Sequence, residues 1–418
     1  MILFYNFILR VIKPFYILFS LTIPKINEFE KKRKISLDQL QSKFLNKNKV
    51  IWLHASSVGE LDQCKSIAKV IKKNLPDINL IQSVYSNSVK EKNLLFELYL
   101  GVFYLPVDFP NSYDLIFEKY HPEILIITAW DIWPNLIQSG RKFGCDIFLA
   151  CGSLHEKSSR LKNPFFHKLT AEVLNLFTGI SPAGRSSEEL FKKLVNKNID
   201  ILSCGDSRFD SVCEKIEFKN NENEIFKSYK STNKVIILAS TYKICDDILF
   251  PCMNNLVREG YHFWIFPHKI DNKRIDEIKA SLTKLNLKFQ LYSNTLSLES
   301  DVLVFDILGL LAFAYEKAHI CYVGGGFHNR IHNVIEPAYF GLPVSTGENI
   351  QHAPEAIELN HLGYLNILRS SEDFYNFCIS NHDSIEYEIK KENIKKYVQD
   401  NRGASERFFN HFLRKRLL

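Results

Sequence analysis

The feature that most constrains the fold is a regular alternation of short apolar runs with longer amphipathic runs. An apolar run of about four to eight residues has the length of a buried strand, and the runs between them carry apolar side chains at helical spacing. Such alternation predicts an α/β fold with doubly wound, mostly parallel sheets. In the first half of the chain the expected strands are Val50–His54, Leu80–Tyr85, Val102–Pro106, Ile124–Thr128 and Ile147–Ala150, and two of the expected helices are Asn111–Tyr120 and Asn135–Phe143.

The same alternation resumes after a polar stretch rich in Asn, Lys and Glu, Cys213–Lys234, where we place a domain boundary. The later expected strands are Val235–Ser240, Phe263–Pro267, Val302–Asp306 and Ile320–Gly326. Two similar α/β halves predict two Rossmann-like domains that face a cleft. In sheets of this kind, ligands bind beyond the carboxyl ends of the strands.

These boundaries divide the chain into five parts. The expected parts are an apolar segment (1–25), an amino-terminal Rossmann-like domain (26–214), a linker (215–232), a carboxyl-terminal Rossmann-like domain (233–395) and a carboxyl-terminal helix that could pack back on the first domain (396–418).

The first 24 residues are strongly apolar but are interrupted by Arg10, Lys13 and Pro14. Three structures fit this pattern: a helix lying in a membrane interface, a membrane-spanning helix, and a buried helix of a soluble domain. The interruption by charge favours the first. The polar run EFEKKRKIS, residues 28–36, then has the composition of a solvated connection.

Composition adds limits rather than an identity. The chain of 418 residues is 46% hydrophobic and 24% charged, which argues against disorder. The net charge of +6 is compatible with anionic partners. The nine cysteines are widely spaced and form no C-x-x-C, so we expect reduced, mostly buried thiols. Basic residues are dispersed, which gives no support to nucleic-acid binding.

The stretch VIWLHASSVGE, Val50–Glu60, predicts a strand followed by a helix start. Ser57 and Glu60 have the spacing of a capping box, in which both side chains satisfy free backbone N–H groups. Gly59 lies in the first turn, where glycine costs about 0.8–1 kcal/mol against alanine. Glu60 is therefore open to two interpretations, a helix cap and a catalytic carboxylate.

A second stretch, YVGGGFHNRIHNVIEPAYFGLPV (322–344), runs from a strand through Gly324, Gly325 and Gly326 into Asn333, Glu336 and a helix. Glycines after a strand let backbone approach a ligand, and N–H groups at a helix start favour an anion. A tight turn followed by an ordinary cap is the alternative. Ser240 and Thr241 precede another expected helix and are equally compatible with a plain N-cap.

Together these stretches resemble the 3-deoxy-D-manno-octulosonic acid (Kdo) transferases of lipopolysaccharide assembly, which are inverting glycosyltransferases of the GT-B fold. The segment around Glu60 resembles the family's signature around its catalytic glutamate, and residues 322–344 resemble its nucleotide-sugar half. Further blocks agree in order and spacing: YLPVDFP (104–110), IWPN (132–135), GDSRFD (205–210), LASTY (238–242), FPHK (266–269) and FDILGLL (305–311).

Several positions depart from the family pattern. Asp131 stands where the family commonly has Glu, and Ala129 replaces another frequent acid. Leu310 follows Gly309 in place of the usual acid. His268 and Lys269 stand where Arg-His is common. These departures leave open the acceptor contacts near Asp131 and the identity of the residue that meets phosphate.

The resemblance implies CMP-Kdo as donor, a lipid IVA-like lipid A precursor as acceptor, and a location at the cytoplasmic face of the bacterial inner membrane. It implies that Glu60 is the catalytic base and that Ser57, Gly59 and Asp131 serve as acceptor contacts or structural support. No cofactor or metal is expected, since the leaving group carries one phosphate and no Asp-x-Asp occurs. The donor-binding residues that the resemblance implies are Ser240, Thr241, Pro267, His268, Lys269, Gly309, Gly324, Gly325, Gly326, Asn333 and Glu336.

Two other functions fit the same architecture. One is a sugar-nucleotide epimerase, or another GT-B transferase, that uses a UDP-sugar. The other is a non-catalytic, membrane-bound module that binds a sugar nucleotide. His54, His328 and His332 have no metal-ligand spacing, so we expect them to be hydrogen-bonded or exposed.

Overall fold

A computed structural model describes residues 1–42, 48–86, 89, 97–196, 198–219, 226, 229, 234–294, 298, 300–328, 330–382 and 384–417. The chain forms two compact units. The first unit comprises Met1–Ser211 together with the chain from Gly403 onward, and the second comprises Val212–Arg402.

The first unit has a parallel sheet with helices on both faces. Its strands are β1 Val50–Ala55, β2 Asn79–Val84, β3 Gly101–Tyr104, β4 Ile124–Thr128, β5 Asp146–Gly152, β6 Gly179–Pro182 and β7 Asp200–Ile201. Its helices begin with α1 Ile2–Thr22, α2 Pro24–Gln41, α3 Val58–Asn74, α4 Asp114–Tyr120, α5 Pro134–Lys142, α6 Ser159–Lys162, α7 Pro164–Leu174 and α8 Arg185–Leu194. Helix α9, Arg208–Lys219, contains the boundary between the units.

Among the described residues, the strand order of this sheet is β3-β2-β1-β4-β5-β6-β7. The chain moves outward in one direction from β1 and in the other from β4, and these two strands pair in parallel. Helix crossovers reverse direction at this point, so a crevice opens beyond the carboxyl ends of β1 and β4. Strands β1 and β4 are buried on both faces, which explains their continuous apolar runs.

The end of the chain completes the core of the first unit. Helix α18 (Ala404–Phe408), a π-helical turn (Phe409–Leu413) and helix α19 (Arg414–Leu417) follow one another. Phe408 and Phe412 are buried against β5 residue Phe148, with ring centroids 6.4 and 5.7 Å apart. The Asp210 carboxylate accepts the Gly403 and Ser405 N–H groups at 2.5 and 2.8 Å.

The second unit repeats the architecture. Its strands are β8 Lys234–Thr241, β9 Tyr261–Pro267, β10 Phe289–Leu291, β11 Val302–Val304, β12 Ala318–Val323, β13 Val344–Thr346 and β14 Leu365–Ile367. Its helices are α10 Lys243–Leu249, α11 Met253–Arg258, α12 Asn272–Lys284, α13 Leu311–Ala314, α14 Ile335–Tyr339, α15 Pro354–His361, α16 Ser371–Ser380 and α17 Ile385–Asn401.

Within the described residues, the second sheet is parallel with the order β10-β11-β9-β8-β12-β13-β14. Here the reversal of strand order falls between β8 and β12. The predicted fold class, two Rossmann-like doubly wound α/β units, is thereby confirmed. All nine cysteines are buried and free, as expected for reduced thiols.

Strand ends differ from the predicted ends where the sequence contains proline or a turn. Strand β3 ends at Tyr104 rather than Pro106, and β11 ends at Val304 rather than Asp306. Strand β12 ends at Val323, before the three glycines. Proline has no N–H to donate to a sheet, and the Asp306 carboxylate instead accepts the Ser293 N–H at 3.0 Å.

Two predicted connections are helical. Residues 215–219, assigned to the linker, continue α9. The run EFEKKRKIS lies within α2, and its expected solvation is wrong for Arg33 and Ser36, which are buried. The guanidinium of Arg33 lies 4.3 Å from the Phe29 ring centroid, and the Ser36 hydroxyl oxygen accepts the Tyr104 N–H at 3.0 Å. A run of charged residues can thus form a helix that buries one of its faces.

Helix α1 is apolar but mostly exposed. Leu3, Phe7 and Leu21 expose 83%, 63% and 71% of their surface, and Ile2 is the buried residue of this helix. The interpretation of this segment as a buried helix of a soluble domain is therefore wrong. Within the described residues, α1 is the one helix whose length and apolar composition would suffice to cross a membrane.

Candidate active site

Glu60 lies at the reversal point of the first sheet, in the first turn of α3 directly after β1. Ser57 is the N-cap residue, and the Glu60 Oε2 atom accepts the Ser56 and Ser57 N–H groups at 2.5 and 3.2 Å. The predicted capping arrangement is present. Both of these hydrogen bonds go to Oε2. The other carboxylate oxygen, Oε1, can therefore accept a proton from a substrate hydroxyl.

Burial raises the pKa of Glu60 above the usual glutamate value, and the charge of Asp131 raises it further. The N–H group of Ser56 and the nearby His54 act in the opposite direction but do not cancel the increase. An ordinary helix cap stabilises the ionised form and lowers a carboxylate pKa. Glu60 therefore combines the geometry of a cap with the elevated basicity of a proton acceptor.

Asp131 follows β4, the other strand at the reversal point. The His54 Nε2 and Trp133 Nε1 atoms lie 2.7 and 2.9 Å from its Oδ2 atom. Burial alone would raise the pKa of Asp131, but the hydrogen bonds that its carboxylate accepts, first from His54 and then from Trp133, help to hold the pKa below the usual value. Asp131 is therefore an ionised carboxylate beside Glu60.

His54 is fully buried and is the link between this carboxylate and the sheet. Its Nδ1 atom lies 2.8 Å from the Ser83 hydroxyl, which accepts the Trp52 indole N–H at 2.8 Å. Because the ionised Asp131 carboxylate can only accept, His54 Nε2–H donates to it, and Nδ1 of the neutral ring accepts the Ser83 O–H. The expectation that His54 is hydrogen-bonded is confirmed. Sequence alone did not show that its partner is Asp131, 77 residues away.

Gly59 faces open space: a Cβ atom built on it meets nothing within 4 Å. The protein itself therefore does not require glycine at this position. Nearby, the Arg160 guanidinium lies 5.1 Å from the Trp130 ring centroid, and its charge acts on Asp131. The sequence offered no signal for Arg160, because a lone Arg in a short polar segment is usually solvated.

Two further sequence blocks that resemble the family, YLPVDFP and IWPN, contact each other in this unit. Asp108 of YLPVDFP is buried and caps α5, which begins within IWPN: its carboxylate accepts the Asn135 and Leu136 N–H groups, each at 3.2 Å. The Asn135 side chain donates to the Asp108 carbonyl oxygen at 2.8 Å. These blocks thus hold the loop that carries Asp131.

In the second unit, the three glycines are required by the packing of the protein's own backbone. A Cβ atom on Gly324 would lie 2.0 Å from the Ser240 carbonyl oxygen, and one on Gly325 would lie 2.0 Å from the Arg330 carbonyl oxygen. Gly325 also has a φ of 96°, which favours glycine. A Cβ atom on Gly326 would lie 2.5 Å from Thr346 Oγ1. The triplet lets β8 and the turn after β12 approach closely.

The interpretation of Ser240 and Thr241 as an N-cap is wrong. Both belong to β8, and the N-cap of α10 is Tyr242. Ser240 has a φ of 52° at an irregularity in the pairing with β9, which turns the strand end. Thr241 is buried, and its hydroxyl accepts from the Arg274 guanidinium at 3.2 Å, which also donates to Asp246 at 2.8 Å.

Tyr242 and three histidines stack beyond the ends of β8, β9 and β12. The Tyr242 ring centroid lies 4.7 Å from that of His268 and 5.5 Å from that of His328, and the Tyr242 hydroxyl lies 2.9 Å from His332 Nε2. Burial lowers the pKa of His332 to about 4, and the charge of His268 contributes. Burial and Lys269 also lower the pKa of His268. The His268 and His332 rings are therefore neutral at pH 7, and this stack was not predicted.

The remaining predicted donor residues lie at the same edge of the second sheet. Pro267 ends β9, and the exposed His268 and Lys269 follow it, with the His268 N–H donating to the Thr241 carbonyl oxygen at 3.0 Å. Gly309 has a φ of 90° in the turn after β11. Within the described residues, no group of three or more His, Cys, Asp or Glu side chains could hold a metal ion.

Asn333 and Glu336 precede and begin α14. The Asn333 side-chain oxygen accepts the Ile335 N–H at 2.8 Å, and its amide nitrogen donates to Glu336 Oε1 at 3.3 Å. The helix begins one residue later than the capping pattern implies, at Ile335, and Pro337 fits in its first turn. Their roles toward a ligand stay predictions.

Comparison with known proteins agrees with this organisation. A family model described as 3-deoxy-D-manno-octulosonic-acid transferase (kdotransferase) matches residues 30–211. The 3-deoxy-D-manno-octulosonic acid transferase of Rickettsia felis is 25% identical over 370 residues, which are 86% of this chain and 78% of the relative. The enzyme of the same name from Chlamydophila psittaci is 23% identical, covering 74% and 72% of the two chains.

Solved structures share the fold at low identity. UDP-GlcNAc 2-epimerase from Neisseria meningitidis, bound to UDP-GlcNAc, has a TM-score of 0.61 at 14% identity, covering 88% of this chain and all of that chain. The spinosyn forosaminyltransferase SpnP has a TM-score of 0.54 at 11% identity, covering 88% and 99%. The fold is thus of the GT-B type. The family model over residues 30–211 and the relatives over most of the chain confirm the predicted resemblance to the Kdo transferase family.

Proposed function

We propose that this protein is an inverting glycosyltransferase that moves Kdo from CMP-Kdo to a lipid IVA-like precursor of lipid A. Similarity to the Kdo transferases supports the transfer of Kdo in lipopolysaccharide biosynthesis. The proposal adds three points to this: CMP-Kdo is the donor, a lipid IVA-like molecule is the acceptor, and the transfer inverts the anomeric configuration. We also propose that the enzyme works at the cytoplasmic face of the inner membrane and needs no metal.

The observation that carries the proposal is the position of the Glu60 carboxylate at the reversal point of the first sheet, where it accepts the Ser56 and Ser57 N–H groups and burial raises its pKa. In an inverting transfer, the acceptor hydroxyl oxygen forms a bond to the anomeric carbon of Kdo. The bond from that carbon to the CMP phosphate oxygen breaks, and CMP leaves with the electron pair. Glu60 takes the hydroxyl proton, and a base is more effective when its pKa is nearer the working pH.

On the donor side, we propose that the second unit binds CMP-Kdo beyond β8, β9 and β12. The negative charge that develops on the leaving phosphate needs fixed dipoles and cations. Lys269 is exposed at the end of β9 and supplies a positive charge. The neutral His268 supplies a hydrogen-bond donor. Asn333 and Glu336 offer an amide and a carboxylate to ribose hydroxyls.

The N-terminal helix supports a location at the membrane surface. Its exposed face is apolar, which suits insertion to the level of the headgroups, and Arg10 and Lys13 suit anionic headgroups. Contacts hold this helix along the first unit: the Met1 ammonium group lies 2.5 Å from the Glu172 carboxylate, and the Asn6 amide donates to Gln138 at 3.1 Å. These contacts favour a helix lying in the interface over one crossing the bilayer.

The test is an assay with CMP-Kdo and a tetra-acylated lipid A precursor in which mass spectrometry counts the sugars per product. Glu60→Gln should abolish transfer while CMP binding persists. Glu123→Gln is the matched control, because Glu123 lies at the opposite end of the sheet in an exposed pair with Lys49 at 3.2 Å. Normal turnover by Glu60→Gln would refute the assignment of the base.

The epimerase alternative has the same fold, as the meningococcal structure shows. The donor separates the two functions. Titration of the protein with CMP-Kdo and, separately, with UDP-GlcNAc should show binding of the first. Binding of the UDP-sugar alone would favour an epimerase or another transferase, and binding of CMP-Kdo without any transfer would favour a non-catalytic module.

A further inference from the structure

We propose that α1 is a positioning element of the acceptor end of the first unit, acting through a hydrogen bond from Tyr5 to Asp108, in addition to contacting the membrane. The inference rests on the proposed function, because it assigns a role in the transfer reaction. It concerns residues outside the capping box and the donor residues. Tyr5 is then a positioning residue, since it acts through other side chains.

The first step is the contact between α1 and a buried carboxylate. The Tyr5 hydroxyl donates to Asp108 Oδ2 at 3.0 Å, and Asp108 is 2% exposed. A hydrogen bond to a charged, buried acceptor is among the stronger ones in proteins. The partner is 103 residues away and belongs to the Rossmann core. An inert membrane anchor has no need of such a bond.

The second step leads from Asp108 to α5. The helix has Trp133 as its N-cap, whose side chain makes no capping bond. Asp108 supplies the missing acceptor from another segment, with Oδ2 and Oδ1 receiving the Asn135 and Leu136 N–H groups. The start of α5 is therefore held by the same carboxylate that binds Tyr5. A shift of that carboxylate would move the start of the helix.

The third step leads from α5 to the candidate catalytic carboxylates. Trp133 donates its indole N–H to Asp131 instead of capping α5. Asp131 in turn raises the pKa of Glu60. The path thus runs from Tyr5 through Asp108 and Trp133 to Asp131. Hydrogen bonds join Tyr5 to Asp108 and Trp133 to Asp131, and between them Asp108 binds the start of α5, whose N-cap is Trp133.

A second route from the N-terminal helices converges on Trp133. The Tyr85 ring stacks against Trp133 with centroids 4.5 Å apart, and the Arg33 guanidinium of α2 lies 5.1 Å from the Tyr85 ring. The same guanidinium donates to the Tyr16 hydroxyl of α1 at 3.3 Å. Two independent sets of contacts therefore connect α1 with the indole that orients Asp131.

The experiment compares Tyr5→Phe with Thr22→Val in the full chain. Both substitutions remove a hydroxyl from α1, but the Thr22 hydroxyl bonds only within the helix, to the Leu18 carbonyl oxygen at 3.0 Å. In Tyr5→Phe we expect kcat to fall about tenfold, as for the loss of one hydrogen bond to a charged group. The KM for CMP-Kdo and the fraction bound to vesicles of anionic phospholipid should stay unchanged. In Thr22→Val all three should match wild type.

A fluorescence measurement reports the coupling without reference to turnover. Tyr5→Phe should change the tryptophan emission, and the change should vanish in a Trp133→Phe background. Asp108→Asn serves as a second variant with the same expected kcat loss, should Tyr5→Phe fold poorly. An unchanged kcat in both variants, or an equal loss in Thr22→Val, would overturn the proposal.

Failure of the proposed function would look different. A wild-type protein that transfers no Kdo would refute the transferase assignment, and the emission change would still decide whether Tyr5 positions Trp133. Absence of that change, with both variants folded, would then overturn the coupling. Release of Tyr5→Phe from vesicles would also count against it, because the hydroxyl would then act on membrane binding.

Discussion

His54 Nε2 lies 2.7 Å from Asp131 Oδ2, and this contact joins the two strands at which the order of the first sheet reverses. Its consequence is electrostatic. It keeps Asp131 ionised, and the negative charge of Asp131 helps to raise the pKa of Glu60. Asp131, which departs from the common family residue, thus has a defined role beside the candidate base.

The pH dependence of transfer should report this pair. Glu60 can act as a base only when ionised, so kcat/KM should fall with decreasing pH through a pKa above the usual glutamate value. In Asp131→Asn this acidic limb should move to lower pH, because the negative charge that disfavours ionisation of Glu60 is removed. The measurement is a pH profile of both proteins, and an unmoved limb would show that Asp131 does not act on the base.

Gly59→Ala should separate stability from activity. A Cβ atom at this position meets no protein atom within 4 Å, and alanine favours a helix over glycine by about 0.5–1 kcal/mol. The variant should therefore be slightly more stable in chemical unfolding. If the open space receives the acceptor, transfer should fall in the same variant. Full activity would show that glycine is not needed there for clearance.

The stacked histidines predict acid sensitivity of the second unit. The folded pKa of His332, about 4, lies below the unfolded value of about 6.5. The contribution of this group to stability is therefore present above about pH 6.5 and is lost as the pH falls through about 4. The groups facing it are Tyr242 and His268.

Thermal unfolding of His332→Gln and wild type between pH 4 and 7 tests this contribution. The substitution removes the titrating group, so the melting temperature of the variant should fall less on acidification than that of wild type. Parallel pH dependence in the two proteins would contradict the assignment to His332.

Phe412→Ala should destabilise the first unit although the residue lies six positions before the last residue of the sequence. Its ring is 3% exposed and packs on Phe148, so truncation should cost about 3–5 kcal/mol. Calorimetry should show the shift in the transition of the first unit. Arg414→Ala, at an exposed position in the next helix, should change stability by less than about 0.5 kcal/mol. An equal loss of stability in the two variants would mean that Phe412 does not contribute to the core of the first unit.

Much of the fold and part of the site could be predicted from local patterns. Strand β4 lies where the apolar run Ile124–Thr128 predicts it, since buried parallel strands read as continuous apolar runs. The capping arrangement of Ser57 and Glu60 is equally local, because its partners are three residues apart. The prediction of a solvated connection for the polar run in α2 was wrong, because burial there is not local. Tertiary neighbours bury the helix face that carries Arg33 and Ser36.

The amino-acid sequence by itself determined the alternation of strands and helices, the glycine turn after β12 and the position of the Glu60 carboxylate at a helix start, since each depends on residues within one or two turns of one another. Tertiary structure decided the chemistry: the Asp131–His54 pair, the Tyr242 stack and the bond from Tyr5 to Asp108 join residues far apart in the chain. The pKa of Glu60 depends on burial and on a charge carried by another strand, and the spacing of residues does not encode either quantity.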